Sequence, residues 1–235
     1  MARPVLLNNV EHRELRIVTA RGAQFKDDVM FALTFPNEFR SVQAYYPIVF
    51  APGKDGSFSP VALFGFRQGQ NLFLENGDWQ ALYLPRMLER GPFMIGQAAN
   101  GKVIHVDLDD PRLSRDAGER VFLDDGASSR YLQHINGVLA SLDEGIEATP
   151  AFVAALLEHQ LLQPFSLDIP SPDGTQGRFA GFHTINEEKV AGLDAAALGR
   201  LNERGYLSAI YMVIASIEHF RTLIDRANKL GAAAR

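Results

Sequence analysis

Short apolar runs separated by turn residues fill the first half of the chain. Residues 46–51 and 61–66 form two such runs, and the proline and glycines of 52–56 lie between them. Proline presets φ and glycine accepts positive φ, so this stretch is typical of a turn. Two further runs, 93–96 and 102–106, flank Asn100 and Gly101, a dipeptide that favours a hairpin. This spacing predicts antiparallel strands over about residues 15–107.

The second half repeats its apolar residues at helical intervals. Leu132, Ile135, Leu139 and Leu142 recur every three or four positions, which predicts a helix over 129–142. Thr149 and Pro150 then match an N-cap and the first position of a separate helix.

A hairpin and three further helices complete the expected elements. Residues 165–169 and 178–185 are predicted to pair across a turn at 171–174. Asn186 and Asp194 stand where N-caps of two short helices belong. The last helix is predicted over about 206–228, with a buried stripe that includes Ile210, Val213, Ile217 and Phe220.

Together these patterns predict an α+β protein. Its N-terminal antiparallel β-rich half, about 15–107, packs against a C-terminal helical half, about 119–230, with one long buried helix. Because no linker rich in proline, glycine and serine separates the halves, residues 1–235 are predicted to form a single structural unit.

Composition and charge exclude several function classes. The 235 residues include no cysteine, which excludes disulfides, thiolate metal sites and a cysteine nucleophile. A formal net charge of −5 argues against a nucleic-acid platform. The N-terminal apolar run stops at Asn8, and no apolar stretch is long enough to cross a bilayer, so we expect a cytoplasmic protein without a membrane span.

Aromatic side chains suggest a ligand site. Tyrosine and tryptophan suit a surface that is apolar but partly wet. Clefts form preferentially between packed elements, so we expect a groove where the sheet meets the helical half. The candidate ligand-binding residues are Tyr45, Tyr46, Trp79 and Tyr83.

A search for catalytic motifs leaves one candidate metal site. The chain has no phosphate-binding loop, no glycine-rich dinucleotide motif and no G-x-S-x-G. His105 and Asp107 are two positions apart on a predicted strand and so share a face. With His183 they match the two histidines and one carboxylate that bind Fe(II) in non-haem oxygenases.

Several stretches resemble the SapC family of bacterial proteins. They are Tyr-Pro-Ile-Val-Phe at 46–50, Val-Ala-Leu-Phe-Gly at 61–65, Tyr-Leu-Pro at 83–85, Gly-Pro-Phe at 91–93, His-Val-Asp at 105–107, Gly-Phe-His-Thr-Ile-Asn-Glu at 181–187 and Leu-Asn-Glu-Arg-Gly-Tyr-Leu at 201–207. The resemblance spans nearly the whole chain. Together with the lack of catalytic motifs and the aromatic-rich first half, it leads to the hypothesis of an accessory protein that binds a small molecule or a protein partner. It also implies a link to flavin-dependent halogenase or outer-membrane receptor systems, and it supplies no catalytic residues and no cofactor. An iron oxygenase that uses His105, Asp107 and His183 is the alternative.

Overall fold

The computed structural model describes residues 3–99, 101–170 and 176–233 and confirms the α+β class. The strands are β1 (Pro4–Leu6), β2 (Arg16–Ile17), β3 (Phe31–Leu33), β4 (Ile48–Pro52), β5 (Phe58–Leu63), β6 (Leu74–Glu75), β7 (Asp78–Trp79), β8 (Phe93–Ala98), β9 (Gly101–Asp107), β10 (Leu113–Ser114), β11 (Glu119–Arg120), β12 (Leu162–Pro170) and β13 (Gln176–Ile185). The helices are α1 (Phe39–Val42), α2 (Arg86–Glu89), α3 (Arg130–Glu158), α4 (Glu187–Ala191), α5 (Ala195–Glu203), α6 (Tyr206–Ser216) and α7 (His219–Ala233).

The chain divides into two compact units. Unit 1 consists of Met1–Asp28, Leu74–Gln80 and Arg86–Glu144, and unit 2 consists of Val29–Phe73, Ala81–Pro85 and Gly145–Arg235. The boundary falls within α3, which therefore contributes residues to both. The single unit expected over residues 1–235 stays a prediction.

Unit 1 contains small antiparallel sheets. The order β1-β9-β8 forms one sheet, β10-β2-β11 a second, and β6-β7 a two-stranded ribbon. The predicted hairpin of residues 93–106 is present as β8 and β9, with Phe93 opposite Val106. Asn100, the first residue of its predicted turn dipeptide, lies outside the described residues.

A buried ion pair joins two distant loops of unit 1. The Arg112 guanidinium donates to both carboxylate oxygens of Asp27, at 2.6 and 2.7 Å. It also donates to the Ala20 carbonyl at 2.7 Å and lies 4.9 Å from the Phe25 ring centroid. The backbone N–H of Gly22 donates to Asp27 at 3.0 Å. This ion pair fixes the loop before β10 against the loop that follows β2.

Unit 2 is built on a five-stranded antiparallel sheet in the order β12-β13-β4-β5-β3. The predicted hairpin is confirmed as β12 and β13, while its predicted turn at 171–174 lies outside the described residues. β13 meets β4 at His183 and Phe50. Phenylalanine rings from the hairpin pack on α7, with Phe165 stacked on Phe220 at 4.7 Å between centroids.

The largest departure from the predicted helices is α3, which runs unbroken for 29 residues through Pro150. The prediction of a separate helix capped by Thr149 is wrong. Instead of capping, the Thr149 hydroxyl donates to the Gly145 carbonyl one turn earlier, at 2.7 Å. Gly145 and Thr149 continue the stripe from Leu142 to Phe152 at helical spacing. The helix packs closely at Gly145, where an added Cβ would lie 2.6 Å from the Phe35 Cβ.

The predicted last helix over 206–228 is two helices, α6 and α7, separated at residues 217–218. Ser216 ends α6: its buried hydroxyl donates to the Val213 carbonyl at 2.6 Å and accepts from the Ile48 N–H at 2.9 Å. Ile210 and Val213 are fully buried, as predicted, and Phe220 is buried too. Ile217 lies at the break and is only half-buried, so its predicted place in the core is wrong.

By length and composition alone, Tyr206–Leu230 is apolar enough to cross a membrane, with a mean hydropathy of 1.3 in its most apolar window. The break between α6 and α7 falls inside this segment. The absence of a membrane span stays a prediction.

Both predicted caps are confirmed. The Asn186 side chain accepts from the Lys189 N–H at 2.9 Å and begins α4, while Asp194 accepts from the Ala197 N–H at 2.7 Å and begins α5. Each side chain satisfies one of the backbone donors that a helix start leaves unpaired.

Candidate functional site

Three of the four predicted aromatic ligand residues belong to unit 2. Tyr46 is a core residue with no exposed surface, and its ring lies 4.7 Å from that of Phe73. Its hydroxyl donates to the Tyr83 carbonyl, and the Tyr83 hydroxyl donates to the buried carboxylate of Glu38 at 2.8 Å. Tyr45 and Tyr83 are half-buried. These contacts tie two tyrosines into the packing of unit 2, and the ligand-binding role of the set stays a prediction.

Trp79, the fourth candidate, belongs to unit 1. It lies on β7 opposite Leu74 and is half-buried. As the single tryptophan of the chain, it is a fluorescent reporter for unit 1.

His105 and Asp107 lie on β9, as predicted, but they contact neighbouring strands and loops of unit 1. The Asp107 carboxylate accepts from the Arg3 N–H at 2.7 Å and from the Asp109 N–H at 3.0 Å. The Arg3 hydrogen bond is the largest cause that holds the pKa of Asp107 below its ordinary value. The His105 ring covers Gly96, where an added Cβ would lie 1.9 Å from its Nδ1. Asp107 therefore ties β1 to the end of β9.

His183, the third predicted ligand, belongs to unit 2. Its ring meets that of Phe58 edge-on at 4.7 Å between centroids. Within residues 3–99, 101–170 and 176–233, no group of three or more histidine, aspartate and glutamate side chains is placed to hold a metal ion. Nothing in these residues favours the iron oxygenase alternative.

Unit 1 has an open cavity of about 850 Å³, which we call the N-terminal cavity. The turn at residues 9–14, the loop after β9 and the strand β10 form its walls. The lining residues are Arg3, Val10, Glu11, His12, Arg13, Glu14, Leu15, Leu108, Leu113, Ser114, Arg115 and Asp116. It combines half-buried leucines with polar groups of both charges.

His12 is the buried polar group of this cavity, at 8% exposed. The Asn8 side-chain oxygen accepts from the N–H groups of Val10 and Glu11, at 3.1 and 2.8 Å, and folds the chain into a tight turn. The turn brings His12 Nδ1 to 3.2 Å from both the N–H and the carbonyl of Asn8. In the described part of the chain, Nε2 has no hydrogen-bond partner. One ring nitrogen is thus fixed to the backbone, and the other has no partner among the described residues and is not one of their fully buried unpaired atoms.

Two more donors of the same cavity are unpaired among the described residues. The Ser114 oxygen accepts from the N–H groups of Asp116 and Ala117, at 3.1 and 3.0 Å, and its hydroxyl hydrogen has no acceptor there. The Arg115 side chain is exposed and has no carboxylate partner within those residues. Arg3, in contrast, pairs with Asp109 at 3.4 Å.

The ion pair of Asp27 and Arg112 positions one wall of the cavity. Arg112 directly precedes Leu113, Ser114 and Arg115, all of which line it. Because Arg112 is buried and forms several hydrogen bonds, it fixes the position of the segment that begins with Leu113.

A second cavity of unit 1, of about 590 Å³, lies beside the start of α3 and is lined by Arg16, Arg120 and Arg130 among others. The Arg16 guanidinium donates to the Gly118 carbonyl at 3.0 Å, and Arg120 pairs with Asp124. Two of its three cations thus have acceptors. The larger volume and the buried histidine make the N-terminal cavity the stronger candidate.

The N-terminal cavity is absent from the sequence-based candidates, although one signal for its turn exists. Asn8-Asn9-Val10-Glu11 has the spacing of a capping box, in which the first side chain bonds the backbone three residues later. That pattern identifies the turn, but nothing in it indicates that His12 lines the same cavity as β10, more than a hundred residues further along the chain.

No curated protein and no solved structure is significantly similar to the chain. A protein-family model, that of SapC, matches residues 7–223 and so covers both units. The sequence-based resemblance is confirmed, and the chain belongs to the SapC family.

Proposed function

We propose that this SapC family protein is an accessory ligand-binding protein and that the N-terminal cavity is its binding site. Ligand pockets are typically concave, about 300–1,000 Å³ in volume and mostly apolar, with a few placed polar groups. The cavity has a volume in this range. Its lining is mixed, with half-buried Leu15, Leu108 and Leu113 beside a larger number of polar side chains.

The observation that carries the proposal is the state of His12. An imidazole nitrogen that no protein group pairs can form a hydrogen bond with a ligand or a water molecule. His12 is 8% exposed, and its Nε2 has no partner among the described residues. Nε2 is not one of the fully buried unpaired atoms of the described residues, so it is accessible to a ligand.

A binding function also agrees with the hypothesis of an accessory binding protein drawn from the sequence. The proposal keeps the cytoplasmic location expected from the sequence, and the family resemblance adds a partner in flavin-dependent halogenase or outer-membrane receptor systems.

The proposal is tested by obstructing the cavity. Val10 lines it and is 83% exposed, so Val10→Trp adds bulk at the cavity without disturbing the core. Leu82 in unit 2 is 94% exposed and gives a matched control, Leu82→Trp. A panel of small fragments is screened by calorimetric melting. A ligand at about one hundred times its dissociation constant stabilises the folded state by about 2.7 kcal/mol.

We expect some fragments to raise the melting temperature of the wild type and of Leu82→Trp, and to lose this effect in Val10→Trp. If no fragment stabilises the wild type, or if Val10→Trp responds as the wild type does, the cavity is not a binding site and the proposed function fails.

A further inference from the structure

The polar groups of the N-terminal cavity indicate a class of ligand, an inference that rests on the proposed function. We infer that the cavity binds a monocarboxylate with an apolar body. The carboxylate accepts hydrogen bonds from His12, Ser114 and Arg115, and the apolar body covers the leucines.

His12 supplies a donor in either protonation state. We assign the neutral ring the tautomer in which Nδ1 accepts from the Asn8 N–H, which places the hydrogen on Nε2. The protonated ring donates from Nδ1 to the Asn8 carbonyl, also at 3.2 Å, and still has a hydrogen on Nε2. With this assignment, a ligand atom that meets Nε2 is an acceptor.

Ser114 and Arg115 have the same polarity. The Ser114 oxygen already accepts two backbone hydrogen bonds, so the hydroxyl is available to donate its hydrogen. Arg115 has a forked guanidinium, which matches the two oxygens of a carboxylate. Three donors thus line one cavity. Its carboxylates, those of Glu11, Glu14 and Asp116, are exposed, so an acceptor head group rather than an amine lies against the buried His12.

The rest of the lining limits the charge and shape of the ligand. Leu15, Leu108 and Leu113 are half-buried and present apolar surface to the cavity. The three arginines of the lining are balanced by three acids, among them the exposed Glu14 and Asp116. A balanced rim disfavours a multiply charged anion such as phosphate, because like charges repel, but it tolerates a single carboxylate.

The test uses four probes on the full-length protein: octanoate, 1-octanol, octylamine and inorganic phosphate. The first three share one apolar tail and differ in the head group. Affinities are measured by calorimetry, and the imidazole ¹⁵N resonances of His12 report where the head group lies. We expect octanoate to bind at least about tenfold tighter than the other probes and to shift Nε2, since a hydrogen bond to a charged group contributes about 1.5–3 kcal/mol.

Two substitutions of one residue separate recognition from folding. In His12→Asn the amide stands near the position of Nδ1 and keeps a partner for Asn8, but the donor at the Nε2 position is lost. In His12→Gln the longer amide reaches that position. Octanoate affinity falls about tenfold or more in the asparagine variant and recovers in the glutamine variant. If the His12 variants fail to fold, Arg115→Gln, at an exposed position, tests the same ligand. We expect it to weaken octanoate binding as well.

The outcomes separate the ligand class from the binding site. If octylamine or octanol binds as tightly as octanoate, or if octanoate affinity is unchanged in both His12→Asn and Arg115→Gln, the carboxylate inference is wrong and the cavity remains a binding site. Tight phosphate binding equally overturns the inference. If none of the probes binds while fragments do, the ligand belongs to another class; if fragments also fail, the proposed function falls as well.

Discussion

The buried ion pair of Asp27 and Arg112 offers the sharpest test of how unit 1 is held together. Arg112→Met keeps most of the volume and the aliphatic stem of the side chain but removes its charge. The substitution removes both hydrogen bonds to Asp27, the bond to the Ala20 carbonyl and the contact with the Phe25 ring. Asp27 remains buried, at 3% exposed.

The expected loss of stability depends on which contacts Asp27 retains in Arg112→Met. Removing one member of a buried ion pair generally costs about 3–5 kcal/mol, since the other charge stays buried without its partner. Asp27 retains the Gly22 N–H at 3.0 Å and the Arg21 guanidinium at 3.5 Å. These contacts offset part of the loss, so we expect a cost at the lower end, about 3 kcal/mol. The double variant with Asp27→Asn should cost less than the sum of the two single variants, because it leaves no buried anion.

The assay is urea unfolding followed by the fluorescence of Trp79, which reports on unit 1. Arg115→Met is the matched control, since Arg115 is exposed and lies in the same segment; its cost should be within about 0.5 kcal/mol. A cost below about 1 kcal/mol for Arg112→Met, or strict additivity in the double variant, would refute the reasoning that this pair stabilises unit 1.

Three further predictions concern other contacts. Ser216→Ala leaves the buried Ile48 N–H of β4 unpaired and should lower the free energy of unfolding by about 1–3 kcal/mol. The control Ser208→Ala, at an exposed position, should change it by less than about 0.5 kcal/mol, and equal costs would contradict the bridging role of Ser216. Gly96→Ala places its Cβ 1.9 Å from the His105 ring and should cost about 1–3 kcal/mol in the same measurement; adding His105→Ser should restore most of it. Burial raises the pKa of Tyr131 from 10.0 to about 12, so the folded protein keeps a proton that the unfolded chain loses, and stability should fall as pH rises from 10 to 12. In Tyr131→Phe the free energy of unfolding should fall less between pH 10 and 12, and the absorbance titration of the tyrosines should lose one ionisation at high pH.

Local signals predicted the elements that depend on local interactions. The N-caps Asn186 and Asp194 are confirmed because a cap satisfies backbone donors only three residues away. The hairpins were recognised because alternating runs and turn residues lie close together in the chain.

Helix ends were predicted less well, for a physical reason. Pro150 indicates a helix start in isolation, but Gly145 and Thr149 keep the packed stripe of α3 continuous, and tertiary packing outweighs the local signal. The opposite holds at Ser216, where an apolar pattern runs on but the side chain bonds the backbone of β4 and the helix ends. The spacing of apolar residues along the chain predicts neither the contact of Gly145 with Phe35 nor that of Ser216 with β4.

The candidate site depends on contacts of the same long-range kind. Asp27 and Arg112 are 85 residues apart, and their pairing fixes the segment that carries Ser114 and Arg115. His12 comes from a different turn, which Asn8 closes locally. In a sequence, a charged residue of a loop is expected to be exposed to solvent unless its partner is known. Composition and motif spacing therefore do not predict that Arg112 is buried and paired. It follows that Arg112→Met, which touches no cavity atom named as a donor, should weaken ligand binding in the N-terminal cavity by loosening its wall, while Ser216→Ala in unit 2 should destabilise the fold and leave the affinity unchanged.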